Sequence, residues 1–271
     1  MVPPTPQSVV VRTKNSAGTL RAALASLRGQ TVPVRIVVVD SGSTDSTLSI
    51  AADAADVVVT LPSERFTHGR SLNVGIAESE SEVTFALSSH VCAPTPDWVE
   101  RSLRQHADPS IIAACGLQVD ALDHPLTAAV RQDLAMARAH PHWGMTNTAV
   151  SWRSELVREF PFDEELEACE DKEWPLRVLA AREGVVLVDP TLAVTGAHRK
   201  AAGGRAYFER VRRERRALVR IGALPRRGAR DIAVEWFHES RRLRPTRRGF
   251  SSVTRLIDAG AEYVAQRDLR D

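Results

Sequence analysis

Short apolar runs that end in polar turns, followed by amphipathic stretches, fill the first two thirds of the chain. Ser8 to Arg12 (SVVVR) is apolar throughout, as in a strand buried on both faces of a parallel sheet. It runs into the polar turn Thr13-Lys14-Asn15. Leu20, Ala23, Leu24 and Leu27 then share one helical face, and Gly29 ends that helix. Arg35 to Val39 (RIVVV) predicts a second strand, which stops at Asp40-Ser41-Gly42-Ser43-Thr44-Asp45 before a helix carrying Leu48 and Ile50. Val57 to Leu61 is a third strand. Val83, Phe85 and Leu87 form a buried strand that breaks off at Ser88-Ser89-His90. Pro94 and Pro96 stop regular structure there, and Asp97 is placed to cap a helix with Trp98, Val99 and Leu103. Strand, polar turn and helix in repeated order is the pattern of a doubly wound α/β fold.

The pattern continues with an apolar strand from Ile111 to Gln118 and a helix expected over residues 125–140. A loop follows with His140, His142 and Trp143. Asn147 to Trp152 leads to a helix near Ser154–Phe160, and Val185 to Val188 is a further strand. The short apolar run Leu192 to Thr195 precedes Gly196-Ala197-His198. From Arg205 the character changes to arginine-rich amphipathic helices, broken at Pro225 and Pro245. The expected domains are therefore residues 1–204 and a helical appendage over residues 205–271.

Composition narrows the classes. Of 271 residues 43% are apolar, enough for a sizeable core, and the net charge of +2 excludes a polyelectrolyte. Cys92, Cys115 and Cys169 are scattered without CxxC spacing, so neither a disulfide framework nor a zinc knuckle is expected. The first residues, MVPPTPQS, lack a basic and an apolar signal region, and no apolar run is long enough to span a bilayer. A cytoplasmic protein is expected. The basic tail is compatible with a peripheral membrane contact or with a solvated helical face.

The chemistry-bearing residues lie where strands end, which is where open α/β sheets bind ligands. His90 ends one strand, and His198 follows another apolar run. Two imidazoles from distant segments are able to share a divalent cation. Arg70 opens a helix, an unfavourable place for a cation unless an anion meets it. Residues 162–174 crowd acids against aromatics, and a carboxylate held near apolar surface has the raised pKa of a general base.

These residues in this order resemble a family-2 glycosyltransferase of the GT-A fold, rhamnosyltransferase-like. The stretches that carry the resemblance are Val9 to Asn15, Val39 to Thr47, His68 to Gly75, Ser88-Ser89-His90, Phe162 to Leu166, Glu170 to Trp174, and His198. The resemblance implies a Rossmann-like, mixed, mostly parallel sheet with helices on both faces. It also implies inverting transfer of a hexosyl group from a nucleotide-diphosphate sugar to an acceptor hydroxyl, with Mn2+ or Mg2+ on the diphosphate. Carried over by position, Arg12, Thr13, Asn15, Asp40 and Ser41 line the nucleotide pocket, together with Ser88 and Ser89. Arg70 and Asn73 lie near the ribose or diphosphate. Asp171 of the Glu170-Asp171 pair is the base, and His90 and His198 hold the metal.

Two departures stand out. Ser41 replaces a common second acid, which loosens any inference of uracil recognition. Ser88-Ser89-His90 stands where the family has Asp-x-Asp, and losing carboxylates weakens a hard-cation site. The acceptor class (glycan, lipid-linked, peptide or small molecule) stays open. The rival readings are a non-catalytic nucleotide-sugar-binding protein and a tail that binds membrane or nucleic acid. Nucleic acid is not expected as a partner, because basic clusters with interleaved acids are usually solvated faces.

Overall fold

The computed structural model describes residues 5–117, 126–196, 203–241 and 252–269. They divide into two compact units, one within 1–165 and 170–198, the other within 166–169 and 199–271.

The first unit is built on an eight-stranded sheet in the order β3-β2-β1-β4-β8-β6-β9-β7. Its strands are β1 (Gln7–Thr13), β2 (Val34–Asp40), β3 (Val57–Thr60), β4 (Val83–Ser88), β6 (Ile111–Cys115), β7 (Val130–Gln132), β8 (Ala149–Arg153) and β9 (Val185–Val188). β1 pairs in parallel with β2 and β4, β2 with β3, and β6 with β9. β8 runs antiparallel between β4 and β6, and β7 runs antiparallel to β9. The sheet is thus mixed and mostly parallel. A two-stranded ribbon pairs β5 (Val91–Cys92) with β10 (Thr195–Gly196).

Both faces of the sheet are covered because successive side chains of a strand point to opposite sides. Val9 and Val11 pack with Leu20, Leu24 and Leu27 of α1 (Ala17–Arg28), the apolar face read from the sequence. Val10 packs on the other side with Leu72 and Ile76 of α3 (His68–Ala77). α2 (Thr47–Ala54) and α4 (Trp98–Gln105) join the first layer. α6 (Ser154–Glu159) and α7 (Glu170–Ala181) join the second, where Trp152, Phe162 and Trp174 are fully buried. Gly75 lets α3 sit close on β1, since a Cβ there would stand 2.3 Å from Val10 Cγ1.

One expected helix is not there as a single element. Within the expected span 125–140, Val130–Gln132 is an edge strand, and α5 (Leu134–Ala139) starts only after Asp133, whose carboxylate accepts the Met136 N–H as a cap. Pairing with β9 competes successfully with helical periodicity, and the cap sets the boundary. The apolar run Leu192 to Thr195 is likewise split between a 3-10 turn, Pro190–Leu192, and β10. Gln118, at the end of one expected strand, lies outside the described residues.

The second unit contains α8 (Gly203–Arg220), α9 (Ala229–Arg241) and α10 (Ser252–Arg267). Several of its arginines are tied to acids of the same unit: Arg212 to Glu209 and Asp268, Arg210 to Glu214, and Arg216 to Glu167. Among the described residues no helix is long and apolar enough to cross a membrane.

Candidate active site

β1 is the point where the sheet reverses its winding, with β2 and β3 to one side and β4 to the other. The carboxyl ends of strands flanking such a point form a crevice. Thr13, Asp40 and Ser88 end β1, β2 and β4 there.

Asp40 is fully buried, and its Oδ2 accepts the N–H groups of Gly42 and Ser43, closing the turn. Gly42 has φ +79°, a conformation that glycine adopts without cost. Asn15 also lies in the left-handed region at φ 48°. Its backbone N–H donates to Ser43 Oγ, and its Oδ1 accepts from the Thr44 N–H at 2.8 Å. These bonds lock the β1 turn to the β2 turn. Within this frame Thr13 Oγ1 and Ser41 Oγ are buried and have no hydrogen-bond partner among the described residues. An unpaired buried hydroxyl is costly, so two at one crevice mark a place where a polar ligand fits.

Ser89 donates its hydroxyl to Ser16 Oγ, and His90 stands in the turn between β4 and β5. The ribbon register places Val91 opposite Gly196. His198 lies outside the described residues. Mg2+ and Mn2+ favour carboxylate oxygens. The described donors at this strand end are hydroxyls and one imidazole, and among the described residues no group of three His, Cys, Asp or Glu side chains is arranged to hold a metal ion. That donor set does not by itself fit a resident hard cation.

Arg70 and Asn73 turn toward the 162–164 segment. Arg70 Nε donates to Glu164 Oε2 at 2.6 Å, so a carboxylate is the anion met at this helix start. Asn73 donates to the Phe162 carbonyl and to Glu164 Oε1, and accepts the Phe162 N–H. Gly69 allows the approach, since a Cβ would lie 2.4 Å from the Asp163 carbonyl oxygen.

The acidic pair opens α7, entered through Cys169 in a left-handed conformation at φ 62°. Its two carboxylates meet different surroundings. Glu170 Oε1 accepts from Arg12 at 3.4 Å and from Asn147 Nδ2 at 3.1 Å. Arg12 also donates to the carbonyls of His68 and Asn147. Burial pushes Glu170 up, but His68, Arg12 and Asn147 outweigh it and hold the carboxyl below its ordinary range. Asp171 goes the other way. Burial raises it, with Glu170 adding to the effect and Lys172 opposing it. Pro175 supplies no N–H for the Asp171 carbonyl four residues back.

The structure therefore joins Arg12 to Glu170, across 158 residues of sequence. Asn147, whose Oδ1 is buried without a partner among the described residues, and Lys172 were not singled out from the sequence. A lone Asn beside an apolar strand and a Lys among acids carry no local signal of a role.

Residues 8–151, just over half of the chain, match the family Glycosyl transferase family 2. The O-antigen chain rhamnosyltransferase RfbN of Salmonella typhimurium is 27% identical over 128 residues, 46% of this chain and 41% of that protein. The match thus spans less than half the length of that relative. The mannosyltransferase PcManGT from Pyrobaculum calidifontis, solved in complex with GDP-Man and Mn2+, is similar with a TM-score of 0.59. Its identity is 19%, and the match covers 98% of this chain and 75% of that one. Residues 1–349 of TarS from S. aureus, in complex with UDP-GlcNAc, are similar with a TM-score of 0.60 and 17% identity, covering 98% of this chain and 92% of that one. The fold is that of the GT-A glycosyltransferases, and on the match over residues 8–151 the chain belongs to glycosyl transferase family 2.

Proposed function

We propose that the chain is an inverting glycosyltransferase in which Asp171 is the general base. The acceptor oxygen attacks the anomeric carbon of a nucleotide-diphosphate sugar. The bond from that carbon to the diphosphate oxygen breaks, the nucleoside diphosphate leaves with the electron pair, and the acceptor proton passes to Asp171. The observation that carries this reading is the opposite fate of two adjacent carboxylates. Glu170 is spent on Arg12 and Asn147 and held low, while Asp171 is pushed up toward the range useful for a base. The nucleotide belongs in the crevice of Thr13, Asn15, Asp40 and Ser41, where two buried hydroxyls lack partners among the described residues. Similarity to RfbN favours a rhamnosyl donor.

The Mn2+ of PcManGT is that protein's ligand. Here a cation accompanying the donor would find His90, and the expectation for His198 stands beside it. The Ser88-Ser89-His90 donor set gives no ground for routing a step through the metal.

The test pairs binding with turnover. Calorimetry with UDP, GDP, dTDP, CDP and ADP, each with Mn2+ and with chelator, is expected to find one tight nucleotide. Asp171→Asn should keep that affinity yet lose about a hundredfold or more in cleavage of the matching nucleotide-sugar. An active Asp171→Asn enzyme removes the base. Tight nucleotide binding without cleavage in the wild type would favour the non-catalytic binding protein.

A further inference from the structure

We propose that Lys172 is a positioning residue for Asp171, holding one carboxylate oxygen so that the other is left to take the acceptor proton. The inference rests on Asp171 being the base.

Lys172 Nζ stands 3.3 Å from Asp171 Oδ2 and also donates to the Met145 carbonyl. Its side chain is only 15% exposed, against 22% for Asp171. A long flexible ammonium would normally spread over many positions. Here a backbone carbonyl outside α7 anchors it, so the Asp171 carboxylate is gripped from a fixed point. Among the described residues no hydrogen bond to Asp171 Oδ1 is found, and its ion pair with Lys172 is to Oδ2. Each acid in the first turn of α7 has its own cation: Glu170 has Arg12, Asp171 has Lys172, and Glu173 has Arg177. Arg12 and Arg177 lie outside that turn, on β1 and one turn further along α7, and tie their carboxylates into the structure. The nearest approach of Lys172 to Asp171 is to a single oxygen, Oδ2.

The charged and titratable groups around Asp171 are few. Glu170 and Lys172 lie on its own helix, Arg12 comes from β1 and Cys115 from β6, with His68 of α3 beside Arg12 and Glu170, and Asp189 near Cys115. α5, which packs on α7, carries Arg138 and its cap Asp133, both exposed. Lys172 is thus the only cation among these within 4 Å of the Asp171 carboxylate in the described residues. Its removal leaves that carboxylate beside Glu170 with Arg12 already engaged.

The experiment follows the carboxyl carbon of Asp171 by NMR in the full chain labelled at aspartate, the signal assigned by its loss in Asp171→Asn. Titrations of wild type, Lys172→Met and Lys172→Arg are compared. Lys172→Met is expected to raise the Asp171 titration by about one unit or more, as loss of an adjacent opposite charge does, and Lys172→Arg to restore most of it. The acid limb of nucleotide-sugar cleavage, tested on GDP-mannose, UDP-GlcNAc and dTDP-rhamnose, should move up by the same amount. If Lys172→Met loses the native circular dichroism, Lys172→Gln, which still donates to the Met145 carbonyl, takes its place. An unchanged Asp171 titration in a folded variant overturns the proposal and leaves the base standing. Cleavage that survives Asp171→Asn overturns the base itself, and with it the catalytic role of Lys172.

Discussion

The parallel half of the sheet, β3-β2-β1-β4, and the mixed half, β8-β6-β9-β7, carry their chemistry in different ways. In the parallel half each strand delivers its polar residues directly at its carboxyl end: Thr13, Asp40 and Ser88 are the last residues of their strands. Position along the chain there is position in the site. In the mixed half the chemistry depends on what arrives from elsewhere. Glu170 is held by Arg12 from β1 and Asn147 from before β8, and Lys172 by the Met145 carbonyl. A parallel sheet repeats one local rule, whereas the mixed half collects partners distant in sequence.

The largest expected effect comes from the close approaches in each half. A Cβ at Gly116, just past β6, would stand 1.7 Å from the Leu192 carbonyl oxygen, and backbone does not yield cheaply. A Cβ at Gly75 meets both Val10 methyls and a Val39 methyl, side-chain atoms that yield more readily than a backbone carbonyl. Chemical denaturation should show Gly116→Ala destabilised by about 3 kcal/mol or more and Gly75→Ala by about 1–2 kcal/mol. Equal losses would erase the distinction between a backbone wall and a side-chain wall.

Acid should loosen the mixed half next. His106, behind α4, is buried with its Nε2 against Ser151 Oγ of β8 at 2.8 Å. Burial, with Arg153 nearby, lowers its pKa from 6.5 to about 4. Between those values the unfolded chain binds more protons than the folded one, so stability falls as the pH falls. The contribution is complete above pH 6.5 and is lost on the way down through pH 4. It amounts to about 3 kcal/mol. Urea midpoints across this range should fall in the wild type and fall less in His106→Gln.

The smallest effect on stability belongs to the parallel half. Ser41→Ala removes a buried hydroxyl that has no partner in the described structure, and should change stability by about 0.5 kcal/mol or less, in either direction. If that hydroxyl serves a nucleotide, the affinity for the nucleotide found by calorimetry should drop about tenfold in the same variant. A large loss of stability with unchanged affinity would make Ser41 a structural residue.

Much of the fold was legible because alternation of apolar strands and amphipathic helices is a local signal. Leu20, Ala23, Leu24 and Leu27 proved to be the buried face of α1, and Val83 to Leu87 lie in a central strand. The expected helix over 125–140 failed where the signal was weakest. A three-residue edge strand owes its existence to β9, and Asp133 moved the helix start inward. The acidic pair was visible as a cluster of carboxylates, but the environments that divide Glu170 from Asp171 were not.

By itself the sequence determined the doubly wound order, the strand-end position of the polar turns, and the family. Each depends on periodicity and on residues near one another in the chain. Only the tertiary structure decided that Arg12 pairs with Glu170, that Arg70 meets Glu164, and that Lys172 grips Asp171. Charge pairing and desolvation depend on distance in space. That distance is created when β8 folds back antiparallel between β4 and β6 and α7 follows it.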